Sequence, residues 1–161
     1  MLRTTGSILL AGTLLVSLTP STGCESVGDV MGGSGGAAMQ NVVSSMLGDW
    51  TLAGISGADL ASFAADKLPT MNIASDGTAS GFTGVNRWSS MLDLDALKAG
   101  KFDLGQAATT KMAGSPAAMD LESRFLSALG SVTGFDVQAL SDGVLSLLGS
   151  DGAELLKFVR G

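Results

Sequence analysis

Between Ser75 and Trp88 the chain reads SDGTASGFTGVNRW, which sets an amide and a guanidinium, Asn86 and Arg87, directly behind Gly81 and Gly84. Together these groups offer donors suited to gripping an anion. A third polar residue, Glu122, interrupts the apolar stripe of a predicted helix. A carboxylate on a buried face needs a charged or hydrogen-bonding partner, and Arg87 is the partner expected for it. Asn86, Arg87 and Glu122 therefore form the candidate polar cluster. The competing reading makes this stretch architectural: glycines at bends of a strand, Asn86 satisfying turn backbone, and Trp88 in the core. The architectural reading is preferred, because no catalytic group accompanies the motif.

Other chemistry is largely excluded by composition. The chain has no histidine and no tyrosine, and a single cysteine. That removes Ser-His-Asp and Cys-His nucleophile systems, an intrachain disulfide and a multi-thiolate zinc site. Asp93 and Asp95 alternate by two and are expected on one strand face, but no third oxygen-rich residue lies near enough in sequence to complete a calcium site. Lys67, Lys98, Lys101 and Lys111 lack Ser-x-x-Lys spacing, and the GGSGG run does not lie between a strand and a helix as a phosphate loop requires. With 9 basic against 15 acidic residues and a net charge of −6, there is no basic patch for nucleic acid. No catalytic residue, metal ligand or cofactor is assigned.

The elements that position these residues begin with an address. Arg3 and an apolar run from Ile8 to Leu18, followed by small residues, have the layout of a secretory signal peptide over residues 1–23. Ser21-Thr22-Gly23-Cys24 resembles a bacterial lipobox, so Cys24 is the predicted lipidation site; Ser21 in place of the usual aliphatic residue leaves ordinary cleavage and secretion as the alternative. Residues 24–45, rich in glycine and serine, read as a flexible tether. The globular part is expected over 46–161.

Within it, Ser-Asp-Gly recurs at residues 75–77, 141–143 and 150–152, predicting three hairpins. The segments FDVQAL, VLSLL and ELLKFVR are expected to form a closing meander, with GDWTLAGI, NRWSSMLDL and GKFDLG as further strands. One helix is well marked: Ser115 as N-cap, Pro116 at its first position, Gly130 at its end, and Ala118, Glu122, Phe125 and Leu129 on one stripe. A short second helix is expected over about 58–65. The fold class is α+β, an antiparallel sheet (a meander, partly barrel-like) packed on one main α-helix, with a short second helix.

LGDWTLAGISG, SDGTASGFTGVNRW, ATTKMAG, AMDLESRFLSAL and GVLSLLGSDGAELLKFVR resemble, in that order, the blocks of the META domain (META/HslJ) family. The resemblance implies a small α+β domain, often exported or lipid-anchored in bacteria, and no reaction. It also implies that Val85 and Gly114 stand where many members carry a pair of cysteines thought to bridge. Together these readings lead to the expectation of a non-catalytic protein on the periplasmic face of the inner or outer membrane, held through lipid on Cys24, with an envelope protein as partner and a binding or stress-integrity role. The alternative is a secreted or periplasmic small-molecule binder or weak enzyme using Asn86, Arg87 and Glu122.

Overall fold

The computed structural model describes residues 34–161; the predicted signal segment 1–23, Cys24 and the first part of the tether, 24–33, lie outside the described residues. The elements in chain order are α1 (Ser34–Met46), β1 (Gly48–Ile55), β2 (Thr70–Ile73), β3 (Thr78–Phe82), β4 (Arg87–Met91), α2 (Leu94–Lys98), β5 (Ala108–Thr109), α3 (Pro116–Leu129), β6 (Val132–Phe135), α4 (Val137–Ser141), β7 (Val144–Gly149) and β8 (Glu154–Arg160). The strands form one eight-stranded sheet in the order β5-β4-β3-β2-β1-β8-β7-β6, every neighbouring pair antiparallel. Two meanders, β1 to β5 and β6 to β8, are thus joined where the first and last strands pair.

Period-two alternation sets the two sheet faces. Trp50, Leu52, Met71, Ile73, Ala79, Trp88, Leu145, Leu147, Leu156 and Phe158 are buried on one face. Lys157, between Leu156 and Phe158, is exposed on the other, as the sequence predicts. Helix α3 contributes Leu121, Phe125 and Leu129 to the same core at four-residue spacing. The Phe125 ring meets Trp88 at 6.0 Å and Phe158 at 6.4 Å, both edge-on, so one aromatic side chain bridges the two meanders. Its helix begins as expected, with Ser115 Oγ accepting from the Ala118 amide and Pro116 at the first position.

Two of the three Ser-Asp-Gly hairpins form, and by a different turn than the dipeptide suggests. Between β2 and β3 the Gly77 amide donates to Ala74 O and the Thr78 amide to Asp76 Oδ1, with φ +87° at Gly77. Between β7 and β8, Gly152 and Gly149 repeat the arrangement. This is the three-residue loop closed by a left-handed glycine.

The third Ser-Asp-Gly ends a helix instead, and FDVQAL is not a strand beyond Phe135. Asp136 accepts from the amides of Gln138 and Ala139, α4 buries Leu140, and Gly143 terminates it at φ +77°. The same device builds α2: Asp93 accepts from Asp95 and Ala96, Leu97 is fully buried, and Gly100 stops the turn at φ +80°. DLDALKAG and DVQALSDG therefore share an aspartate cap, a buried leucine and a terminal glycine at identical spacing. This corrects the strand expected at Asp93–Asp95. GKFDLG likewise contributes only a single bridge, Leu92 to Leu104, and residues 58–65 form turns rather than a helix, followed by a short 3₁₀ turn at Ala65–Lys67.

The expected tether is helical from Ser34. Val42 and Val43 pack against the core and Met46 is fully buried, so α1 has an apolar stripe strong enough to offset its glycines. Its last carbonyls are also occupied. Trp50 Nε1 donates to Met46 O at 2.8 Å, and the Arg160 guanidinium donates to Leu47 O and Ser45 O while lying 4.7 Å over the Trp50 ring. Among the described residues there are four α-helices, including the expected α3, where two were expected.

The Asp93 carboxyl is held below its ordinary value of 3.8 by the Ala96 and then the Asp95 amide. A depressed folded-state value contributes stability above the unfolded value that disappears as pH falls through the folded one. The wild type should therefore melt higher than Asp93→Asn above about pH 5, and the gap should close on acidification; thermal denaturation across pH checks this, and a gap that widens in acid would contradict it.

Candidate functional site

The residues singled out by sequence separate into a buried hub and an exposed cation. Asn86 is 2% exposed and Glu122 8%. Asn86 Nδ2 donates to both Glu122 oxygens at 3.0 Å and to Met112 O at 3.2 Å. Its Oδ1 accepts from the Met112 amide at 2.7 Å and from Thr110 Oγ1 at 2.9 Å. The side chain thus engages both backbone groups of Met112, as a neighbouring strand would, and all its hydrogen-bonding capacity is used. This pairing also fixes the amide orientation, because only Oδ1 can accept from an N–H.

Thr83, which sequence reasoning did not single out, completes the hub. It is fully buried, and its hydroxyl donates to Glu122 Oε2 at 2.8 Å while accepting from the Asn86 amide at 2.8 Å. The Thr83 amide in turn donates to Asn86 O. Thr-Gly-Val-Asn is accordingly a tight turn between β3 and β4. Gly84 takes φ +100° there, and a Cβ on it would stand 3.0 Å from Lys67 O. The legible signal was the threonine opening a turn with glycine next to it. Glu122 is supplied by α3, so the hub ties that helix, the β3–β4 turn and the 110–112 segment into one joint. No buried side-chain polar atom among the described residues lacks a partner.

Arg87 does not join this joint, and the expected ion pair with Glu122 is corrected. Arg87 is the first residue of β4, and Trp88 after it points into the core, so the alternation sends Arg87 to the opposite face. The pairs observed are Lys67 with Asp66, Lys98 with Asp95 and Arg124 with Asp120, all at the surface. Glu122 is satisfied by a hydroxyl and an amide instead. Arg87 lines an open cleft of about 720 Å³ on the outer face of β1 to β5. An anion-gripping pocket formed by all three residues is therefore not the geometry present. Asp93 and Asp95 also part company: the first caps α2 and the second pairs with Lys98 at 2.7 Å. Among the described residues no group of three or more potential metal ligands converges.

Gly81 has an architectural role as well. Trp88 Nε1 donates to Thr70 O at 3.1 Å, crossing the position a Gly81 side chain would take: a Cβ there would lie 2.0 Å from Thr70 O and 3.0 Å from Trp88 Nε1.

Val85 and Gly114 are neighbours. A Cβ placed on Gly114 would stand 3.4 Å from Val85 Cβ and 2.7 Å from its Cγ2, close to the Cβ separation of a disulfide. The valine methyls occupy the space a bridge would fill. They also help line an apolar groove of about 610 Å³ between residues 62–67 and the start of α3.

A family model for the META domain matches residues 44–160. The chain belongs to the META domain family. Among solved structures, the META chain is similar to the NMR structure of a protein from Burkholderia xenovorans, with 26% identity, a TM-score of 0.56, and coverage of 88% of this chain and 98% of that one. No curated protein matches it. The family match starts two residues before the globular boundary expected from sequence, within α1.

Glu122→Ala should cost about 3 kcal/mol, because Thr83 and Asn86 lose a buried acceptor, whereas Arg87→Ala should stay within about 0.5 kcal/mol. Denaturant titration of both variants checks the assignment; equal losses would place Arg87 in the joint after all. Separately, Val85→Cys with Gly114→Cys should oxidise to an intrachain bridge without rearrangement, detectable as a thiol count restored only by reductant. The bridge should raise stability by about 2–4 kcal/mol over its reduced form.

Proposed function

We propose that this META domain protein is exported, anchored to the bacterial envelope through lipid on Cys24, and serves there as a non-catalytic binding module supporting envelope integrity under stress. The observation that carries the non-catalytic part is the use made of the polar residues. Asn86, Thr83 and Glu122 spend their hydrogen-bonding capacity on one another and on Met112 and Thr110. A general acid or nucleophile needs instead to reach a substrate. The envelope part is supported by the cationic start, the Ile8–Leu18 run and the Ser-Thr-Gly-Cys segment. The single cysteine precedes the family match at residues 44–160, which suits acylation.

A small-molecule binding role remains the second reading, favoured by the cleft that Arg87 lines. It does not require the Asn86–Glu122 joint to open.

Intact-mass analysis of the protein purified from membranes should show a chain that begins at Cys24 and is heavier than its polypeptide by acyl chains. Cys24→Ala should abolish both the added mass and retention in the membrane fraction. A mature species of bare polypeptide mass would exclude the anchor while leaving secretion open.

A further inference from the structure

The outer face of β1 to β5 differs from an ordinary solvated sheet surface. Antiparallel sheets commonly present one polar face, usually with long charged side chains extending into water. Here the floor is made of short hydroxyl residues in strict cross-strand register. Asp49, Asn72, Ser80 and Ser89 follow one another across four strands. Thr51, Thr70, Phe82 and Arg87 make the adjoining row. The short Thr51, Thr70, Ser80 and Ser89 side chains, set among the larger Asn72, Phe82 and Arg87, leave the cleft of about 720 Å³, within the range of small-molecule sites.

Much of its hydrogen-bonding capacity is unspent. Asn72 Nδ2 donates to Asp49 Oδ1 at 2.8 Å, which orients the pair and leaves Asn72 Oδ1 and Asp49 Oδ2 as acceptors. Among the described residues, the hydroxyls of Ser80, Ser89 and Thr51 and the Arg87 guanidinium have no side-chain partner. The cleft therefore presents two neighbouring acceptors, several hydroxyls that both donate and accept, one aromatic face at Phe82, one cation at one end and one carboxylate at the other. Asp49 and Arg87 are three strand spacings apart, on the order of 14 Å.

These features select a ligand class. A ligand that can use acceptors and dual-role hydroxyls along such a length carries many hydroxyls, and the C–H face of a sugar ring suits the Phe82 ring. An apolar ligand would strand the hydroxyls without partners. A polyanion such as nucleic acid meets one cation, an opposing Asp49 and a chain of net charge −6. An added peptide strand needs a long free edge, whereas β1 to β4 under this cleft are paired on both sides and the edge strand β5 is two residues long. One carboxylate on the ligand answers Arg87, and its hydroxyls can donate to Asp49.

We propose that the outer face of β1 to β5 binds a short oligosaccharide carrying a carboxylate, with Arg87 meeting the carboxylate, Asp49–Asn72 and Ser80–Ser89 meeting ring hydroxyls, and Phe82 stacking on a ring. This rests on the binding reading above and gives it a ligand class, but does not depend on lipidation.

Titration of the full chain with aldotetraouronic acid, a tetrasaccharide with a single carboxylate, and with chitotetraose as a neutral control, tests it by calorimetry and amide shift mapping. Saturable binding of aldotetraouronic acid is expected, with shifts at Asn72, Ser80 and Ser89. Arg87→Gln should weaken it by about tenfold or more, as loss of a charged hydrogen bond implies. Ser80→Val with Ser89→Val should weaken it too while melting as the wild type does. No saturation by roughly ten millimolar, shifts confined to another surface, indifference to Arg87→Gln, or equal affinity for chitotetraose would each overturn the proposal. None of these outcomes bears on the acyl mass at Cys24, so the anchor and the ligand class stand or fall separately.

Discussion

The carboxylate of Glu122 imposes the strictest condition on this fold. It sits on a helix face that buries Leu121, Phe125 and Leu129, and no cation reaches it among the described residues. Burial of such a group is tolerable only where neutral donors converge on it. Both donors come from the 83–86 turn, and one of them, Asn86, is itself held by the 110–112 segment, far away in sequence. Docking α3 therefore requires both segments to be in place, which makes the joint a checkpoint for correct assembly rather than a simple source of stability. Phe125, one turn further along the same helix, then reads out the result by touching an aromatic residue from each meander.

The other end of the domain is closed by its termini. Pairing of β1 with β8 brings Arg160 to the end of α1, where its guanidinium takes two carbonyls and covers the Trp50 ring. Long-range pairing of first and last strands carries a high loop-closure entropy, and contacts made only once that pairing exists help to offset it. Helix α1 lies beside α2 and α4, the two turns built on the same aspartate, leucine and glycine spacing. A segment that would be marginal alone, as thirteen residues containing two glycines are, becomes ordered because its carbonyls and its apolar stripe are both received.

How much of this was legible depends on whether the signal was local. The α3 boundaries were, because a serine cap followed by proline and a closing glycine act within one turn. The strands around Asp76-Gly77 and the inward Leu156 and Phe158 were too, since alternation needs no partner to be seen. Helix α1 was missed although Met39, Val42, Val43 and Met46 lie at helical spacing; composition outweighed period, and the carbonyl partners lie more than a hundred positions away. The α2 and α4 turns were misread because Asp-x-x-x-Leu was taken for alternation, when the cap geometry was equally present in the same letters. For the site, type and context point to Asn86 and Glu122, but their bonding to each other is not legible from the sequence, which suggests Arg87 as the partner instead. Strand alternation from Trp88 assigns Arg87 to the other face, a constraint stronger than the opposite charges of Arg87 and Glu122.

The position of Val85 and Gly114 explains how the joint can do without a covalent tie. In family members with cysteines at these two positions, a bridge would link the 83–86 turn to the 110–114 segment, the same two segments that Asn86 links here. Closing a loop of that length is worth about 3–4 kcal/mol. The Asn86 hydrogen bonds, at about 1 kcal/mol each net and more where a charged group is involved, supply a comparable sum. Bridge and hub are therefore two fastenings of one seam. The methyls of Val85, packed against Gly114, keep the 83–86 turn and the 110–114 segment in the close approach that lets the hub form around Glu122.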